Sequence, residues 1–174
     1  SPCPPCDVLR AETAPIRAEL ARRLTARVGA DQAHVSAIPW LSLFRRTHAS
    51  LPACFVYEPQ LGVILQGSKQ VRMGEEVFVY DESRFLLTAV DLPVSSCVVD
   101  ASEARPYLSM LAKLDLARVR QLILDYELAA PRVAPLRGMA TGPATPALLN
   151  VFARLMDLLD RPEVYTQLRA WLED

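Results

Sequence analysis

Few residues in this chain have the types and spacing that chemistry requires. Cys3-Pro-Pro-Cys6 has the spacing of a thiol redox pair, and a helix beginning just after it would stabilise a thiolate. Such motifs ordinarily follow a strand inside a βαβ unit, and here only two residues precede it, with no second Cys or His pair nearby to complete a zinc site. A terminal segment without chemistry is the expectation. The two histidines, His34 and His48, lie in no HxH or HxxxE spacing, whereas a stable metal site needs about three converging protein ligands. No metal and no cofactor are therefore expected. Ser68 falls in a turn rather than in a GxSxG elbow, and neither histidine has an evident orienting partner for a nucleophilic triad. Gly62, Gly67 and Gly74 lack the strand, loop, helix order that cradles a phosphate and read as turn or strand-edge glycines. No catalytic residue is expected.

The middle of the chain instead supplies large apolar and amphipathic side chains. Such a lining suits an apolar or aromatic small molecule held by a few polar groups. The candidate ligand contacts are Phe44, Arg46, Tyr57, Gln66, Phe78, Tyr80, Phe85 and Tyr107. The same residues serve equally well as plain core, because a small barrel is either hollow or filled by its own side chains. Cys54 and Cys97 fall in apolar, strand-like settings and are expected to behave as small hydrophobes.

The elements that must position these residues follow from periodicity. Leu61 to Gly74 reads as a β-hairpin, an apolar run and an alternating run joined at a Gly-centred turn. Short strands are also expected at Leu41 to Arg46, Cys54 to Tyr57, Val94 to Val99 and Tyr107 to Leu114, with turn signals between them. That pattern predicts a small antiparallel barrel over residues 35–114. Residues 1–34 form a tail and an amphipathic helix carrying Val8, Ile16, Leu20, Leu24 and Val28. Residues 115–174 form a helical subdomain: one helix from Asp115, which can cap it, to Leu128, a Pro- and Gly-rich connector without regular structure, then helices from Pro146 and from Pro162. Leu148, Phe152, Leu155 and Leu159 make a stripe that suits a seam with another helix, in this chain or in a second copy, and are the candidate dimerisation residues.

Composition narrows the function classes. About half of the 174 residues are apolar (51%), enough for a substantial core. A formal net charge of -1 excludes the broad positive field of a free-standing nucleic-acid binder. The connector after the first C-terminal helix is far too long for a helix-turn-helix. No apolar run reaches the roughly 20 residues of a membrane span, and residues 1–10 lack the apolar core of a secretory signal. No membrane partner and a cytoplasmic address are expected.

Four strings then stand out: Pro39-Trp-Leu-Ser-Leu-Phe-Arg-Arg; Tyr57-Glu-Pro-Gln-Leu-Gly-Val-Ile-Leu-Gln-Gly-Ser-Lys-Gln-Val; Leu87-Thr-Ala-Val-Asp-Leu-Pro-Val; and Ala101-Ser-Glu-Ala-Arg-Pro-Tyr-Leu. In order and spacing they resemble the N-terminal domain of AraC-type bacterial transcription regulators, over about Ile38 to Pro162. The resemblance implies a metal-free, cupin-like antiparallel β-barrel followed by helices. It also implies a non-enzymatic domain that senses a small-molecule effector and forms a homodimer, with DNA bound through a separate helix-turn-helix domain absent from these residues. Glu163 to Asp174 departs from the continuation the family usually shows. The expectation is a sensory part of a longer regulator, or a product lacking the DNA-binding half. Two other readings stay open: a cupin-like metal-dependent enzyme, either isomerase or oxygenase, and a ligand-free dimerisation module.

Overall fold

Strands that are apolar at almost every position, such as Gly62 to Leu65 and Tyr107 to Met110, must be covered on both faces. That requirement sets the architecture seen in the computed structural model, which describes residues 4–127 and 138–173. Helix α1 (Pro4–Arg27) leads into strands β1 (Ala33–Val35), β2 (Leu41–Arg46), β3 (Ala53–Tyr57), β4 (Gln60–Gln66) and β5 (Ser68–Met73). Strands β6 (Glu76–Asp81), β7 (Arg84–Thr88), β8 (Leu92–Asp100) and β9 (Tyr107–Lys113) follow. The chain ends in helix α2 (Leu116–Asp125), strand β10 (Met139–Pro143) and helices α3 (Pro146–Asp160) and α4 (Pro162–Glu173).

The strands form two antiparallel sheets, a six-stranded one in the order β1-β2-β9-β4-β7-β10 and a four-stranded one in the order β3-β8-β5-β6. This is the expected cupin-like arrangement of antiparallel strands with flanking helices, but hydrogen bonds do not close it into a barrel. β1 and β10 remain edges of the larger sheet, and β3 and β6 edges of the smaller.

The expected hairpin at Leu61 to Gly74 is not one. β4 pairs with β7 and β9, and β5 with β6 and β8, so Gly67 is a corner where the chain leaves one sheet for the other. Its φ is +90°, and a Cβ there would lie 2.5 Å from the Asp100 carbonyl oxygen, so the corner accepts only glycine without strain. The true hairpin follows, with Met73 paired to Glu76 across Gly74 and Glu75. The connector is corrected too. Residues 128–137 lie outside the described residues, but Met139–Pro143 is a strand, paired with Arg84 to Thr88 at the sheet edge, where its closing proline needs no ladder donor.

Alternation along β2, β9 and β4 produces three layers. Leu41, Leu43, Val63, Leu65, Leu108 and Met110 face the helices and form one core with Leu20, Leu24 and Val28 of α1 and Leu149, Phe152 and Met156 of α3. Ile64 and Tyr107 face the other way, into a second core with Tyr57, Val71, Tyr80, Val94 and Val98 of the small sheet. The arginines of α1 fix its position. Arg10 pairs with Asp81, Arg23 with Asp157 at 2.9 Å, and Arg23 and Arg27 with Asp160, while Arg22 stays on the surface with Glu19. Arg45 donates to the carbonyl of Val28 just past the helix end, at 3.2 Å.

Phe152 and Leu159 of the expected dimerisation stripe are buried in this core, and Leu148 and Leu155 pack against it. Within the chain the stripe packs in the core it shares with α1, leaving Leu148 and Leu155 half-buried. α2 is left largely uncovered, as is α4, whose Leu168 and Trp171 are 41% and 80% exposed. α2 is capped as expected, Asp115 accepting from the backbone N–H groups of Ala117 (3.0 Å) and Arg118 (3.2 Å), yet none of its residues is buried.

Candidate ligand pocket between the sheets

The two facing sheets leave between them a half-open pocket of about 460 Å³, within the range of small-molecule sites. One wall consists of alternate residues of the large sheet: Ser42, Phe44 and Arg46 of β2, Tyr107 and Ser109 of β9, Gln60 and Gly62 of β4. The other comprises Tyr57 of β3, Ser96 and Val98 of β8, Lys69 of β5 and Tyr80 of β6. Leu51 and Phe55, 87% and 51% exposed, also line the pocket and form its solvent-facing apolar rim. Gly62 contributes by its smallness. A Cβ there would lie 3.8 Å from the Tyr80 hydroxyl across the pocket.

The polar groups converge. The Tyr57 hydroxyl donates to Ser96 Oγ at 3.0 Å, and Tyr107 lies within hydrogen-bonding reach of both Tyr80 and Ser109. The Lys69 ammonium sits 5.3 Å from the centroid of the Tyr57 ring, over its face. Burial opposes the charge on Lys69, but Tyr107 and Tyr57 outweigh it and hold its pKa above the ordinary lysine value. Burial pushes the Tyr80 phenol well above the usual tyrosine range and raises that of Tyr107. At neutral pH the site therefore presents an ammonium among neutral hydroxyls.

Of the residues singled out in the sequence, Phe44, Arg46, Tyr57, Tyr80 and Tyr107 meet in this pocket. Three do not. Gln66 turns outward and donates to the Pro106 carbonyl at 2.7 Å, in a shallow groove beside α1. Phe78 packs against the core between the sheets without lining the cavity, and Phe85 packs against the core beneath the helices. Sequence reasoning missed Lys69, Ser96 and Ser109. Lys69 shares the phase of the inward-facing Val71 and Met73 on β5, a signal that was present but is ordinarily assigned to a surface lysine.

The two histidines and Cys54 stay apart from the pocket. His34 and His48 are exposed, and His48 contacts Thr47 Oγ1 at 2.9 Å. Cys3 lies outside the described residues, and Cys6 is part of α1. Cys54 is exposed and Cys97, half-buried, contributes to the pocket lining, so neither fills a core as expected. Among the described residues, no three His, Cys, Asp or Glu side chains come close enough together to hold a metal ion. Nor is any helix among them long and apolar enough to cross a membrane.

The family profile of the AraC-type transcriptional regulator N-terminus matches residues 37–174. No curated protein sequence matches. Among solved structures, ToxT from Vibrio cholerae is similar at 9% identity and a TM-score of 0.48, over 67% of this chain and 46% of that one. ToxT from Vibrio cholerae O395 bound to (E)-4-(8-methylnaphthalen-1-yl)but-3-enoic acid is similar at 9% identity and a TM-score of 0.49, with the same coverage of 67% and 46%. A cupin-2 domain protein from Shewanella frigidimarina gives 3% identity and a TM-score of 0.37, over 55% of this chain and 92% of that one. The chain spans about half the length of the ToxT structures.

Proposed function

The chain belongs to the family of AraC-type transcriptional regulator N-termini, and we propose that it is the effector-sensing domain of such a regulator, with the pocket between its sheets as the sensing site. The observation that carries this reading is the alternation along β2, β9 and β4. Ser42, Arg46, Ser109 and Gly62 line the pocket, while their neighbours Leu41, Leu43 and Leu108 belong to the core with α1 and α3 on the opposite face. A ligand is then one sheet's thickness from the helical layer. Close-packed layers transmit small displacements because they cannot deform smoothly. The ligand shifts the helices only by the difference between its affinities for their two arrangements.

The rest of the regulator follows from the same reading. The domain acts in the cytoplasm, not as an enzyme, and a helix-turn-helix domain elsewhere in the regulator binds DNA. The domain forms a homodimer. Support for α2 as the dimer surface comes from Leu122, Ile123 and Tyr126, which are 50%, 40% and 72% exposed while Phe152 and Leu159 of the α3 stripe are buried within the chain.

Titrating candidate effectors against the full-length regulator, with operator affinity and dimerisation as readouts, tests the reading. An effector that binds the pocket is expected to change at least one of them. Saturation of the pocket that changes neither would overturn it.

A further inference from the structure

Resting on the reading of this pocket as a sensing site, we propose that its ligand is an anion, a carboxylate on an apolar body, with the carboxylate held by Lys69 and Arg46 and by hydroxyls of the tyrosines around them. The argument starts from charge balance. The pocket's lining includes three cationic side chains, Arg46, Lys69 and Lys113, and no Asp or Glu. Lys113 is paired with Glu58. Arg46 donates to the carbonyl of Arg45 at 2.9 Å, a neutral partner, and Asp31, a carboxylate on which it acts electrostatically, lies outside the pocket's lining. The charged and polar groups that act on Lys69 are Tyr107, Tyr57 and Arg46, none of them a carboxylate.

A charge withdrawn from water is costly unless it is paired. The face of the Tyr57 ring offsets part of that cost for Lys69 but supplies no negative charge. A bound carboxylate would supply it, and would accept from the ammonium and from phenol hydroxyls kept protonated by burial. The charged groups of the lining are all donors. The apolar remainder of the pocket, Phe44, Phe55 and Val98, fits a hydrocarbon or aromatic body.

The test compares matched pairs on the unmodified protein by titration calorimetry: benzoate, 4-phenylbutyrate and octanoate, each against the carboxamide of the same skeleton. At least one carboxylate is expected to bind, with its carboxamide weaker by tenfold or more, since charge-assisted hydrogen bonds separate the two. Lys69→Met should reduce carboxylate affinity at least tenfold and bring each pair together, and Arg46→Gln, at the half-buried end of β2, should do so in part. Equal binding of acids and amides to the unmodified protein would overturn the anion assignment and leave the sensing pocket standing, whether or not Lys69→Met folds. Undiminished carboxylate binding by a folded Lys69→Met protein would do the same. Failure of all six compounds to bind would count against both the assignment and the pocket's role.

Discussion

Replacing Phe152 by Ala asks whether the helical stripe belongs to the core of one chain or to a seam between two. Phe152 is 1% exposed, in the core that α1 and α3 build over the large sheet. Truncating a buried phenylalanine costs about 3–5 kcal/mol, combining lost transfer free energy with the cavity left behind. In a domain of this size each kcal/mol lowers Tm by about 2–4 °C, so the variant should melt roughly 6–20 °C below the parent. Val151, the adjacent residue on α3, is 49% exposed, and its truncation should cost about 0.5 kcal/mol or less. The assay is thermal unfolding of both variants and the parent at two protein concentrations, with sedimentation recording the oligomeric state. If Phe152 serves its own chain, the loss is independent of concentration and the oligomeric state is unchanged. A loss that grows on dilution, or one no larger than that of Val151→Ala, would refute the three-layer account.

Three further outcomes follow. Gly67→Ala should cost about 2 kcal/mol or more, from a left-handed φ plus the 2.5 Å approach to the Asp100 carbonyl, whereas Gly74→Ala, with nothing within 4 Å, should cost only the φ term of about 1–2 kcal/mol; urea midpoints decide, and equal losses would contradict the corner geometry. Asp160 is held below the usual carboxylate range by Arg27 and Arg23; for Asp81, burial opposes ionisation but hydrogen bonds from Ser83 and Arg10 outweigh it. Because the native values are lowered, their contribution is complete above the unfolded Asp value of about 3.9 and is lost as pH falls through the native values; acid unfolding of Asp81→Asn/Asp160→Asn should show a shallower limb than the parent, and identical limbs would contradict the pairing. Leu122→Glu on the exposed face of α2 should shift the full-length regulator towards monomer in sedimentation without lowering Tm of the isolated domain, and an unchanged dimer would remove α2 from the interface.

Strand positions were legible in the sequence wherever turn residues bounded them. Leu41–Arg46 appears with its expected limits, and Pro146 opens its helix with Thr145 accepting from the Leu148 N–H at 3.3 Å. Pairing was not legible, because a glycine between two apolar runs serves a hairpin and a sheet-to-sheet corner equally. Gly67 became a corner because β4 is buried on both faces between β7 and β9, which leaves no free edge for β5. β10 was hidden for a related reason. Its Met-Ala-Thr-Gly-Pro composition carries almost no strand propensity, and only the edge of β7 induces it. Within the pocket, aromatic residues were recognised by type and Lys69 was missed by type, although its alternation with Val71 gave its direction.

The central claim is that a ligand occupies the space between the sheets and is felt by the helices on the far side. Backbone NMR shifts of the domain, titrated with whichever carboxylate binds most tightly, test it most directly. The account predicts the largest changes at Gly62, Lys69, Ser96 and Ser109, with smaller ones on α1 and α3 through Leu24 and Phe152. Changes confined to the outer surface, or to the groove beside α1 at Gln66 and Leu108, would contradict it.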